Sequence, residues 1–212
     1  MENKSKFYTL WFALICIFVF LLQKLIPGFT QIFLLSSDAL SRPWQFLTAI
    51  FLHGSITHLL YNLFALVLFG IILEKFIGSK RFLALFLVSG ILANIVSFMF
   101  YPSSLGASGA IMAIIGALAI IRPMMVVWAF NLPMPMFVLA IIWMAGSVLG
   151  VFGIGDTSTG YWAHLSGIFI GVLYGVFLRL KYSFLFGKKV QREQEVISED
   201  YMKMWEDRHL KR

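Results

Sequence analysis

The stretch GASGAIMAIIGALAIIRP, residues 106–123, is apolar or small at every position before Arg122, with the single exception of Ser108. A helix over its central part, 107–121, has about 15 residues and a length of ~22 Å at ~1.5 Å per residue. The hydrocarbon core of a bilayer is ~30 Å thick. In a membrane such a helix cannot reach both faces, so its start, with Ser108, is expected below one surface.

The rest of the chain calls for a membrane. Of 212 residues, 60% are hydrophobic and 13% charged, whereas a soluble domain carries about 25% charged residues. Of the ten acidic residues, six lie beyond residue 190, leaving only Glu2, Asp38, Glu74 and Asp156 before it. A charge at mid-depth in hydrocarbon costs at least ~2.5 kcal/mol. Five further apolar runs cover 7–26, 55–73, 82–100, 134–151 and 161–180, punctuated by Pro27-Gly28, Glu74-Lys75, Tyr101-Pro102 and the opening prolines Pro133 and Pro135. The expected fold is an all-α membrane protein, a six-transmembrane-helix bundle over residues 1–181. The run 7–26 lacks a small-residue cleavage site after it and reads as a span rather than a signal peptide.

Residues 182–212 differ, with seven basic and six acidic side chains. Ile197, Tyr201, Met204 and Trp205 fall at helical spacing there, which fits either an amphipathic helix on the inner surface or a solvated tail. The net charge of +7 does not indicate nucleic acid, because the basic residues sit at the ends of apolar runs. That placement suits lipid headgroups and topology. Placing the N-terminus inside puts Lys4, Lys6, Lys75, Lys80, Arg81, Arg122, Arg179 and Lys181 inside, against Lys24 and Arg42 outside. The expectation is a multi-pass protein of the cell membrane with both termini cytoplasmic. In the long outer connection, 27–54, Trp44, Phe46, Leu47, Ile50, Phe51 and Leu52 are expected to dip into the outer leaflet. Cys16 is the only cysteine, so no intrachain disulfide can form.

Polar residues inside spans are costly and mark candidate sites. The second, fourth and sixth spans run in the same direction, so His58, Ser108 and His164, each near a span's start, share one depth. His58 and Asn62 are four apart, on one helical face. They can donate to a developing oxyanion or merely pack between helices. Gly106 and Gly109 flank Ser108 at a helix start, where free N–H groups and the positive dipole end suit a serine nucleophile and its oxyanion; a small-residue helix contact is the alternative. His164 shares a face with Gly167, Gly171 and Gly175, and this stripe allows the fourth span, with Gly109, Ala113 and Gly116, to approach closely. A histidine there can act as a base near neutral pH or simply bond a neighbour. Taken together, the three sets predict a Ser108–His164 dyad, with no acid placed to complete a triad.

HGSITHLLYN (53–62), GASG (106–109) and AHLSG (163–167) with Gly171 resemble the rhomboid intramembrane proteases over about residues 40–180. The resemblance implies a catalytic cavity open to the outer side. It implies that Ser108 attacks the scissile carbonyl, that His164 accepts its proton, and that His58, Asn62 and the Ser108 N–H hold the oxyanion. It makes His53 structural, suggests a polar contact of Glu74 near Arg81 with interfacial charge alone as the alternative, and implies transmembrane protein substrates with no cofactor and no metal. Two positions depart from the family pattern. Gln45 replaces an arginine expected to fix the outer loop. Met112 replaces a tyrosine that stacks on the histidine, where the methionine sulfur can still pack against the imidazole. The alternative is a catalytically silent rhomboid-like protein that binds transmembrane clients.

Overall fold

The computed structural model describes residues 7–129, 131–156 and 159–209, with side chains described for all but 182–198, 201–202 and 205–209 of these. The chain divides into two compact units, Met1–Gly175 and Val176–Arg212. The first unit is built on α1 (Tyr8–Leu25), α4 (Ile56–Ile77), α5 (Ser79–Phe100), α6 (Ser108–Ile121), α7 (Met136–Val151) and the start of α8 (Tyr161–His209). The outer connection adds α2 (Phe29–Phe33), β1 (Leu35–Ser36), α3 (Gln45–Thr48) and one 3-10 turn (Ala49–Phe51). Helices α1, α4, α5 and the Tyr161–Lys181 part of α8 are long and apolar enough to cross a membrane, while α6 and α7 are apolar but shorter. The protein is thus an all-α membrane bundle of six apolar helices.

Helix α6, with 14 residues, is the core of that bundle: Gly109–Ala119 is buried without interruption. A membrane bundle buries a helix on all sides only where neighbours approach closely, and small residues permit this. A Cβ on Gly116 would come within 3.1 Å of the Val172 nitrogen, and one on Gly109 within 2.6 Å of the Ala93 Cβ. Helix α6 is therefore seated against α5 on one side and α8 on the other. The turn from α4 to α5 is made by Gly78 alone, at φ +83°, a conformation that favours glycine.

Three expectations need correction. The fifth span starts at Met136 rather than 134, because 126–135 forms a hairpin of β3 (Val126–Ala129) and β4 (Leu132–Pro135). Pro133 and Pro135, two residues apart, lack N–H groups on the same strand edge, which leaves pairing to Leu132 and Met134. Second, the outer connection is not simply lipid-facing. Of the six apolar residues expected in the leaflet, Ile50 and Leu52 are buried within the protein, Phe46 and Phe51 pack against buried clusters, and Trp44 and Leu47 alone are exposed. Third, Glu74 is 2% exposed, and its carboxylate accepts from Tyr8 N (2.8 Å), Thr9 N (2.9 Å) and Thr9 Oγ1 (2.7 Å). It caps the start of α1, whose free N–H groups and positive dipole end favour a carboxylate. Arg81 Nη1 donates to the Ile77 carbonyl.

The second unit, taken by itself, is helical to His209, with Glu199, Asp200, Lys203 and Met204 exposed. The side chains of Ile197, Tyr201 and Trp205, on which the amphipathic expectation rests, lie outside the described residues.

Candidate active site

Ser108 is the first residue of α6, after an N-cap at Ala107. Its N–H is one of those at a helix start that have no partner within the helix. The preceding segment is held on two sides. Strand β2 (Ser103–Ser104) pairs antiparallel with β1, Leu35 opposite Ser104, and Gly106 N–H donates to the Ala49 carbonyl at 2.8 Å. The outer connection thus braces the turn that presents Ser108. Gly106 has φ +123°, and a Cβ there would lie 2.8 Å from His58 Cε1 and 2.9 Å from His58 Nε2. Glycine is needed at 106 for both its backbone angle and its contact. That contact places the edge of the His58 ring two residues before Ser108.

His58 lies one turn into α4, which is capped by Ser55 accepting from His58 N at 3.1 Å, a sound N-cap. Asn62 is buried one turn further on. Its Nδ2 donates to the His58 carbonyl at 2.9 Å and its Oδ1 has no partner among the described residues. An amide nitrogen carries two hydrogens, so one donor remains after that bond. His53 is 1% exposed, and its ring stands edge-on to His58 at 5.1 Å between centroids. Gln23 holds the His53 backbone from both sides, its Oε1 accepting from His53 N and its Nε2 donating to the His53 carbonyl. Burial, and secondarily the nearby His58, lowers the His53 pKa to about 4.

His164 is buried one turn into α8. Its helix lies directly on α6. A Cβ on Gly167 would strike the Gly109 carbonyl oxygen and sit 3.1 Å from the Met112 Cβ, and one on Gly171 would strike the Ala113 backbone. A Cβ on Gly109 would be 3.5 Å from the Ala163 carbonyl oxygen. The residue after Ser108 therefore faces the residue before His164. The Met112 Cβ faces α8 at Gly167, about one turn along from His164.

Tyr161 is a contributor that the sequence analysis does not name, and Gln45 takes a role there that its type did not suggest. Tyr161 stands edge-on to His164, at 6.3 Å and 85°; it was legible as an aromatic three residues before the histidine on one helical face. A Cβ on Gly150 of α7 would strike the same Tyr161 ring. Gln45 is fully buried, with Oε1 accepting from Ser36 N and Ser36 Oγ, and Nε2 donating to the Ile32 carbonyl. A neutral side chain thus pins the outer connection at the position of the expected arginine. Asp156 is exposed and accepts from Thr159 within its own loop, and Asp38 is exposed in the outer connection. No cluster of metal-ligating side chains occurs among the described residues.

Residues 40–181 match the family model of the Rhomboid domain. The chain is 39% identical over 127 residues to Rhomboid protease GluP of Bacillus subtilis, covering 55% of this chain and 25% of that protein. It is 29% identical over 175 residues to Rhomboid protease GlpG of Haemophilus influenzae, covering 79% of this chain and 88% of that protein. It is 30% identical over 159 residues to Rhomboid protein 1, mitochondrial, of Saccharomyces cerevisiae, covering 68% and 44%. The chain thus spans a quarter of the GluP relative and most of the GlpG relative.

Proposed function

Because this chain belongs to the rhomboid family, we propose that it is an intramembrane serine endopeptidase that cleaves transmembrane segments of membrane proteins through a Ser108–His164 dyad. The observation that carries this reading is the backbone contact of α6 with α8, Gly109 against Ala163 and Gly167. The relatives named as proteases support it.

In this mechanism Ser108 Oγ attacks the scissile carbonyl carbon while His164 takes its proton. The carbonyl oxygen becomes an oxyanion at the start of α6. There the Ser108 N–H and the positive helix end oppose its charge, with His58 and the remaining Asn62 hydrogen as side-chain donors. His164 then gives its proton to the leaving amine. Water, deprotonated by His164, hydrolyses the acyl ester and frees Ser108. Gly106 and Gly109 shape the turn, and Met112, Gly167 and Gly171 set the helix separation. His53, edge-on to His58, is structural.

The substrate helix enters beside α7. Residues 141–146 of α7 are all exposed, and that helix is secured near its ends, at the hairpin and at Tyr161. A crosslink between α4 and α7 should block cleavage of a membrane substrate, and unchanged turnover would rule this entry out. Both termini are cytoplasmic in this reading, and residues 182–212 form a tail that the chemistry does not use. The direct test is a single-span substrate reconstituted with the protein in liposomes. Wild type should cleave it, and Ser108→Ala should leave it whole; cleavage by that variant would exclude the dyad.

A further inference from the structure

The β3–β4 hairpin lies at the end of α6 opposite Ser108, where the sequence suggested only a connection into the next span. Its two faces differ. Val127 and Met134 are buried, whereas Met124, Val126, Trp128 and Leu132 are 61–73% exposed. Val126 and Trp128 share the face away from Val127 and Met134, Met124 precedes that strand, and Leu132, opposite Ala129, stands exposed beside the turn; four large exposed apolar side chains on so short a ribbon make a patch that water does not favour. The ribbon is firmly held from behind. Met136 N–H donates to the Met125 carbonyl at 2.9 Å and Phe137 N–H to the Pro123 carbonyl at 3.2 Å, so the first turn of α7 is tied to the hairpin.

The neighbourhood says what covers this face. Arg122, which opens the hairpin, lies over the Phe76 ring at 4.6 Å, so the end of α4 is adjacent. That end carries the exposed Lys75, and the start of α5 carries the exposed Lys80 and Arg81. Among the described residues of the first unit, the acid at this end is Glu74, buried and bonded to α1. An apolar patch rimmed by cations, with no exposed acid at this end among the described residues of the first unit, complements an anionic bilayer surface. Length agrees. Helices α6 and α7 have 14 and 16 residues, about 21 and 24 Å, short of the ~30 Å core. The ribbon joining them is therefore drawn to the level of the headgroups and upper acyl chains, where tryptophan is favoured.

We propose that this hairpin is an interfacial membrane anchor, seated through Met124, Val126, Trp128 and Leu132 in an anionic leaflet on the face opposite Ser108. Through its backbone bonds it fixes one end of α7 to the lipid. This rests on the membrane fold and not on the proposed protease chemistry.

The test uses the full chain reconstituted in vesicles of phosphatidylcholine with phosphatidylglycerol, spin-labelled at Trp128→Cys or, independently, Leu132→Cys. Cys16 is buried, and unsubstituted protein controls for its labelling. Phe18→Cys on exposed α1 gives a lipid reference and Asp38→Cys a water reference. The hairpin labels should resemble the Phe18 label in oxygen access, with nickel-chelate access at least about fivefold below the Asp38 label. Nickel access should rise at least about twofold in pure phosphatidylcholine. Nickel access equal to Asp38 would overturn the proposal by placing the ribbon in water. Protection from both reagents, with dipolar broadening that grows with protein-to-lipid ratio, would overturn it in favour of a second copy. Equal access in the two lipids would overturn the anionic assignment.

Discussion

Gly171→Ala is a sharp test of how the bundle sets the site. A Cβ at 171 would lie 2.7 Å from the Ala113 Cα and 2.7 Å from its carbonyl carbon, with the carbonyl oxygen nearer still. These are backbone atoms of the central helix, so no side chain can rotate away. Restoring the 3.4 Å of ordinary contact requires α6 and α8 to part by at least 0.7 Å at this level. Overpacking of this kind costs about 1–3 kcal/mol, which a bundle can survive. The site is less tolerant, because a misplacement of ~1 Å can cost ~10²-fold in rate. Gly171 lies seven residues from His164 on the same helix, too far along it to meet substrate in place of the histidine. Cleavage of a transmembrane substrate in proteoliposomes should fall about 10²-fold in kcat, with thermal unfolding only modestly lowered. Gly54→Ala is the control, since its Cβ would meet only the Leu105 side chain at 3.8 Å, and it should stay within about twofold of wild type. Gly171→Ala with near-normal turnover would refute the claim that close α6–α8 contact holds the dyad.

Three further outcomes follow from the same geometry. Glu74→Ala leaves the Tyr8 and Thr9 donors without their carboxylate, and stability in micelles should fall by on the order of 3 kcal/mol; an unchanged unfolding midpoint would show that α1 does not depend on this cap. His53 is buried with its pKa lowered to about 4, so the unfolded chain binds more protons between about pH 6.5 and 4 and stability declines as pH falls through that window. His53→Gln should show a shallower decline over the same window, and an unaltered slope would remove His53 from the effect. Tyr161→Ala should lower kcat and shift the pH profile of cleavage while leaving KM nearly unchanged, with Tyr161→Phe restoring both, because the edge-on ring contact with His164 does not need the hydroxyl; equal loss in the two variants would assign the role to the hydroxyl instead.

The six apolar helices were legible because hydrocarbon imposes a length and a charge rule that composition displays directly. The glycines at 109, 167 and 171 were legible as a close-approach stripe, and the structure puts α6 against α8 through them. What escaped reading has a common physical cause: apolar composition does not say whether lipid or protein is the neighbour. Ile50 and Leu52 looked fit for a leaflet and are packed inside. Residues 134–135 read as the start of a span and 126–133 as a plain connection, yet 126–135 pairs as a hairpin in which Val126, Val127 and Trp128 alternate in exposure with the period of a strand. Glu74 was legible as a polar residue at a helix end, but its partner is 65 residues away at Thr9, a distance no local pattern spans. Tyr161 is legible at i, i+3 from His164, whereas the resemblance directs attention to Met112 on another helix.

The most direct measurement of the central claim is fluorophosphonate labelling of the folded, detergent-solubilised protein, beside Ser108→Ala and His164→Ala. A serine activated by His164 predicts covalent labelling of wild type at Ser108 and its loss in both variants. Folded wild-type protein that stays unlabelled, in detergent where a control serine protease reacts, would contradict the dyad and favour a client-binding member of the family.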